Sequence, residues 1–139
     1  MASRQQRKFR SLVRKWKQRL WLGPWYISFE YPEELDEDRQ DNWQVTAQVK
    51  TQPAYKTAFV SIAARGVKDM SEVNMNRQAC HEVVHVALSP LNDMCREVMK
   101  SLPIKQADAF DRWRAKENEY VTEHLTSVLL DAYKEKQAD

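Results

Sequence analysis

The sequence predicts an α+β fold: an N-terminal helix, a small antiparallel three-stranded sheet, a helix carrying two histidines four residues apart, and a long C-terminal helix. Three observations carry this reading. Apolar residues recur at helical spacing over residues 4–19 and again over 107–136. Three runs between residues 25 and 63 alternate in strand fashion and are rich in aromatic and β-branched residues. His81-Glu82-Val83-Val84-His85 lies in an apolar stripe formed by Val83, Val84, Ala87, Leu88 and Leu91.

The elements follow in order. Residues 4–19 interleave Arg4, Arg7, Lys8, Arg10, Arg14, Lys15, Lys17 and Arg19 with Phe9, Leu12, Val13, Trp16 and Leu20, an amphipathic helix with a basic outer face. That face either contacts an anionic partner, phosphates or a membrane surface, or stays in water while the stripe packs on the domain. Gly23-Pro24 ends this N-terminal segment of residues 1–22. A strand runs from Trp25 to Tyr31, and Pro32 stops it. Glu33, Glu34, Asp36, Glu37, Asp38 and Asp41 form an acidic connection. Trp43 to Lys50 and Tyr55 to Ala63 read as two further strands, and modest connections suggest a meander. Ser71, Asp69 or Asn74 caps the next helix, which runs to about Leu88. Ser89-Pro90 is expected to break or kink it. Residues 91–101 then form a short helix with Leu91, Met94, Cys95 and Val98 inward. The last helix is expected to bury Phe110, Trp113, Val121, Leu125, Val128, Leu129 and Ala132.

At 139 residues the chain reads as one domain, 1–139, large enough for a true core. Hydrophobic residues make up 42% and charged residues 30%, which fits a globular protein. No apolar run is long enough for a transmembrane helix. The basic N-terminus lacks the apolar centre of a signal peptide, so a cytoplasmic protein is expected. Cys80 and Cys95 are the only cysteines, too few to imply a disulfide framework. The net charge of +2 does not by itself argue for nucleic acid.

The pattern H-E-x-x-H places two imidazoles one helical turn apart on one face, where both can reach a single Zn²⁺. Glu82 between them can contact a water at the metal without ligating it, as a general base must. The chain has 3 histidines, and two fall in this pattern. The alternative is a pair of histidines satisfied by hydrogen bonds on a core helix. Cys80 points about 100° away from His81 and reads as a small core residue. Catalytic zinc takes three protein ligands. On the last helix, Asn118-Glu119-Tyr120-Val121-Thr122-Glu123 puts Glu119 and Glu123 four apart. One could ligate the metal while the other holds a ligating imidazole.

Here the chain resembles the gluzincin, thermolysin-like division of zincin metallopeptidases, and in size the small stand-alone zincin domains of bacteria and their phages. In thermolysin-like enzymes H-E-x-x-H is followed on a second helix by Asn-Glu-x-x-Ser-Asp. This chain carries Asn-Glu-Tyr-Val-Thr-Glu. The resemblance covers residues 43–134 and implies a zincin-like fold and a zinc peptidase acting on a peptide or protein substrate. It implies His81, His85 and Glu119 as zinc ligands, Glu82 as the base and Glu123 as the partner of a ligating histidine. It also implies an edge strand that holds extended substrate. A metzincin site would need Gly at 88 and His at 91, where Leu88 and Leu91 stand. His124 is a rival third ligand, but it lies about 140° around the helix from Glu119. Tyr55, Tyr120 and Tyr133 are candidate oxyanion donors. A second class of function stays open: a nucleic-acid- or protein-binding module with a structural or vestigial zinc site, which would recruit Cys80 or His124.

Overall fold

A computed structural model describes residues 1–35 and 46–134. The element order is α1 (Arg4–Arg19), β1 (Tyr26–Glu30), β2 (Ala47–Gln52), a 3-10 turn (Pro53–Tyr55), β3 (Thr57–Ile62), α2 (Ala64–Val67), α3 (Glu72–Met99) and α4 (Ile104–Ala132). The fold is α+β and mostly helical.

Helix α1 begins at a capping box: Gln6 N donates to Ser3 Oγ, and Ser3 N donates to Gln6 Oε1. The Gln6 side chain is buried and its amide donates onward to Ile62 O (2.7 Å) and Pro32 O (3.2 Å), fastening the helix to the sheet. Phe9, Val13 and Trp16 are fully buried. Trp16 also donates to Asn76 Oδ1 (2.8 Å), tying α1 to α3. Removing an aromatic side chain from such a position costs about 3–5 kcal/mol. The apolar stripe of α1 is thus consumed by the core, and only its basic side faces outward.

The three strands are found, but their pairing corrects the expected antiparallel meander. The order is β1-β3-β2, with β2 antiparallel and β1 parallel to β3. β3 takes the centre with Ala58, Val60 and Ile62 buried on its core face, while Phe59 on the opposite face is exposed. Ile27, Phe29 and Val49 on the flanking strands pack against the core. The β2–β3 hairpin turns through Pro53–Tyr55 and Lys56, which takes a left-handed conformation (φ 51). Among the described residues β2 is an edge strand. Trp43 and Val45, expected at the start of this strand, lie outside the described residues, as do Asp36, Glu37, Asp38 and Asp41.

Helix α3 is capped by Ser71, whose hydroxyl accepts from Asn74 N. It does not stop at Ser89-Pro90 but continues to Met99, so the expected break and separate helix are replaced by one helix of 28 residues. The reason is local. Pro90 has no N–H to give to the carbonyl four residues back, that of Val86. Ser89 is buried and donates its hydroxyl to Val86 O at 2.7 Å, so the orphaned acceptor is satisfied.

Helix α4 pairs with α3, and here too the expected face is corrected. Trp113 (61% exposed), Val121 and Val128 face solvent, as do Leu91, Met94 and Val98 on α3. Ala87 is exposed as well. The inward residues of α4 are Thr122 and Thr126, both fully buried, with Leu125, Leu129 and Leu130 beside them. Threonine can take this place because each hydroxyl donates to the carbonyl one turn back, Thr122 to Asn118 O (2.6 Å) and Thr126 to Thr122 O (2.7 Å).

Among the described residues, no helix is long and apolar enough to cross a membrane.

Candidate metal centre

Two antiparallel helices meet at His81 and His85 of α3 and Glu119 of α4. The two Nε2 atoms stand 3.0 Å apart. Glu119 straddles them, Oε1 3.3 Å from His85 Nε2 and Oε2 3.6 Å from His81 Nε2. Four atoms, two nitrogens and the two carboxylate oxygens, thus lie in a ring of contacts of 3.0, 3.3 and 3.6 Å. Ligand atoms about 2.0–2.1 Å from a tetrahedral zinc ion lie about 3.3 Å from one another. The donor set and its spacing could therefore hold a metal ion.

The far sides of both rings are also engaged. His81 Nδ1 lies 2.7 Å from Glu123 Oε1, a close charge contact set off the line of the ring N–H. The other Glu123 oxygen accepts from Arg77 Nη2 at 2.8 Å, and Arg77 also reaches Ser127 Oγ. His85 Nδ1 faces Thr122 Oγ1 at 3.5 Å. Because the Thr122 proton is given to Asn118 O, its oxygen is left to accept from the ring. With the hydrogen on Nδ1, each ring would present an Nε2 lone pair towards the other. Two such lone pairs at 3.0 Å repel unless a proton or cation lies between them.

The electrostatics run the same way. Burial, then the neighbouring His81, pushes the His85 pKa down, favouring the neutral ring that ligates. Burial opposes ionisation of Glu123, but the Arg77 hydrogen bond and the charges of His81 and Arg77 outweigh it and hold the carboxyl below its usual range. Glu82 is buried, and its carboxyl is pushed up to about 8, first by burial and then by the charge of Glu119.

Glu82, His81, His85 and Glu119 all line one cleft of about 730 Å³. Its other wall is formed by six consecutive residues, 46–51, along β2, an edge strand among the described residues. Consecutive residues on one wall mean that the strand presents its backbone edge there, since its faces alternate.

The remaining sequence candidates lie elsewhere. His124 stacks on Tyr120 (5° between planes) outside the cluster. Cys80 is buried, and burial pushes its thiol up to about 12, which suits a core residue. None of Tyr55, Tyr120 and Tyr133 lines the cleft; Tyr133 packs edge-on against Trp16. Arg77 and Thr122 were not singled out by the sequence. Thr122 could have been found as the residue three after Glu119 on the α4 face that meets α3, whereas Arg77 carries no such signal.

Compared with known proteins, the chain matches no family model, no curated protein and no solved structure.

Proposed function

We propose that the protein is a zinc-dependent hydrolase of the zincin type, acting on peptide bonds. The observation that carries this reading is the convergence of two Nε2 lone pairs and the Glu119 carboxylate on one point, beside a cleft that also holds Glu82. A zinc ion at that point supplies Lewis acidity and lowers the pKa of water towards about 7. His81, His85 and Glu119 hold it, and Glu123 and Thr122 keep the two rings in the ligating tautomer. Glu82 takes the proton from the attacking water and returns it to the leaving nitrogen. Burial raises the Glu82 carboxyl most, and a cation held by Glu119 would lessen the like charge that adds to it, which draws Glu82 towards the pH range of a general base. Among the described residues β2 has no strand beyond it on the cleft side, which suits an extended peptide lying as an added strand.

The test is metal content with activity. Purified protein is expected to carry about one zinc per chain, and Glu82→Gln to keep the metal while losing hydrolysis. Protein that binds no zinc, or Glu82→Gln that cleaves as fast as wild type, would count against the reading.

A basic groove supports a second reading, a module that binds an anionic polymer. Arg4, Arg7, Lys8 and Lys15 line this groove of about 660 Å³ between α1 and the start of α3. Salt-dependent binding of nucleic acid that vanishes when these four are neutralised, together with no hydrolysis, would favour it. A closed structural zinc site has less support, because the ligand cluster among the described residues has three members and Cys80 and His124 are not among them.

A further inference from the structure

The cleft is charged unevenly along its length. Apart from Glu82 and Glu119, every charged side chain lining it among the described residues is a cation: Lys50 on the β2 edge, Arg96 on α3 and Arg114 on α4. Arg114 is the most confined of the three, with a side chain 13% exposed. Its guanidinium is held from behind. Nε and Nη2 donate to Asp111 Oδ1 (2.9 and 2.7 Å), and Nη1 donates to Asn92 Oδ1 across the helix pair (2.5 Å). Two N–H groups stay unused on Nη1 and Nη2. Asp111 does not line the cleft, whereas Asn92 and Arg114 do. An arginine fixed in this way is preorganised for a planar anion.

We propose that this end of the cleft is a subsite for a carboxylate of the substrate, so that the enzyme prefers acidic peptides; the proposal rests on the peptidase reading above. The fold gives the spacing. Arg114 precedes Glu119 by five residues on α4, about 7.5 Å along the axis. Asn92 follows His85 by seven on α3, about 10.5 Å. An extended peptide advances about 3.4 Å per residue, so the carboxylate belongs about two or three residues from the cleaved bond. It comes from an Asp or Glu side chain or from the terminal carboxylate of a peptide ending there. Arg96 and Lys50 add charge around that position without a fixed geometry.

The experiment uses the full chain loaded with zinc and a set of labelled decapeptides. One arm replaces each position in turn by Glu or Gln. The other compares a free C-terminal carboxylate with its amide. Cleavage is read on the wild type, and binding by fluorescence anisotropy on Glu82→Gln, which reports recognition without turnover. The expected result is a preference of at least about tenfold for one placement of the carboxylate. That preference falls in Arg114→Gln and in Arg96→Gln and is only partly kept in Arg114→Lys, which carries the charge without the fork. Circular dichroism checks folding, and Arg96→Gln, an exposed position, keeps the test valid if Arg114→Gln does not fold. Equal handling of acidic and neutral peptides, or a preference unchanged in both Gln variants, overturns the carboxylate subsite and leaves the peptidase reading standing. Failure of every peptide to bind and to be cut overturns both.

Discussion

Glu123 sits 2.7 Å behind the Nδ1 of His81, and Arg77 grips its other oxygen at 2.8 Å. The carboxylate is thus fixed from outside and lies against the face of the site behind the ring. Carboxylates placed behind ligating histidines commonly contribute 10–100-fold to metal affinity. Glu123→Gln is expected to weaken zinc binding by about tenfold or more in competition with a chromogenic chelator, with Arg77→Ala giving a smaller loss in the same direction. Unchanged affinity in both variants would show that neither residue orients His81.

Thr122 performs the matching task for His85 with a neutral group. Thr122→Val keeps the shape of a fully buried side chain but removes the hydroxyl that faces Nδ1 and satisfies Asn118 O. The expected cost is about 1 kcal/mol in stability and a measurable fall in zinc affinity, while Thr122→Ser preserves both. If Val and Ser behave alike in zinc titration, the hydroxyl has no part in holding the ring.

Glu82 gives the pH dependence. Its folded pKa, about 8, is above the ordinary 4.5. Between those values the folded chain holds a proton that the unfolded chain has released, so this group makes stability fall as pH rises through the window. Each tenfold difference in proton affinity between the two states corresponds to about 1.4 kcal/mol. Denaturant unfolding with chelator present is therefore expected to show metal-free wild type losing at least about 1 kcal/mol more than Glu82→Gln between pH 5 and 8.5. Parallel pH profiles would contradict the buried, raised carboxyl.

Ser89 and Pro90 form a coupled pair. Ser89→Ala leaves the Val86 carbonyl without a donor and is expected to cost about 1–2 kcal/mol. Pro90→Ala restores the backbone N–H, so the same serine change in that background is expected to cost much less. Additive effects in thermal unfolding would separate the serine from the proline.

What could be read from the sequence was local. The α1 bounds, the Ser71 cap and the placing of His81 and His85 on one helical face required only neighbours along the chain, because charge, apolar spacing and side-chain capping act within a turn or two. The parallel pairing of β1 with β3 joins segments about thirty residues apart, which no short window contains. The unbroken α3 depended on a hydroxyl replacing an amide hydrogen, and Ser89-Pro90 read alone looks like a stop. In α4 the apolar residues misled, since Trp113 and Val128 point outward while Thr122 and Thr126, satisfied by their own backbone, face α3. Arg77 is an ordinary surface cation until α4 brings Glu123 to it.

Anomalous diffraction recorded on either side of the zinc edge, from protein purified without chelators, tests the central claim most directly. The expected result is a single peak about 2.0–2.1 Å from His81 Nε2, His85 Nε2 and a carboxylate oxygen of Glu119, with Glu82 nearby but not bound. A peak elsewhere, a fourth protein ligand closing the site, or no peak between the two helices would contradict it.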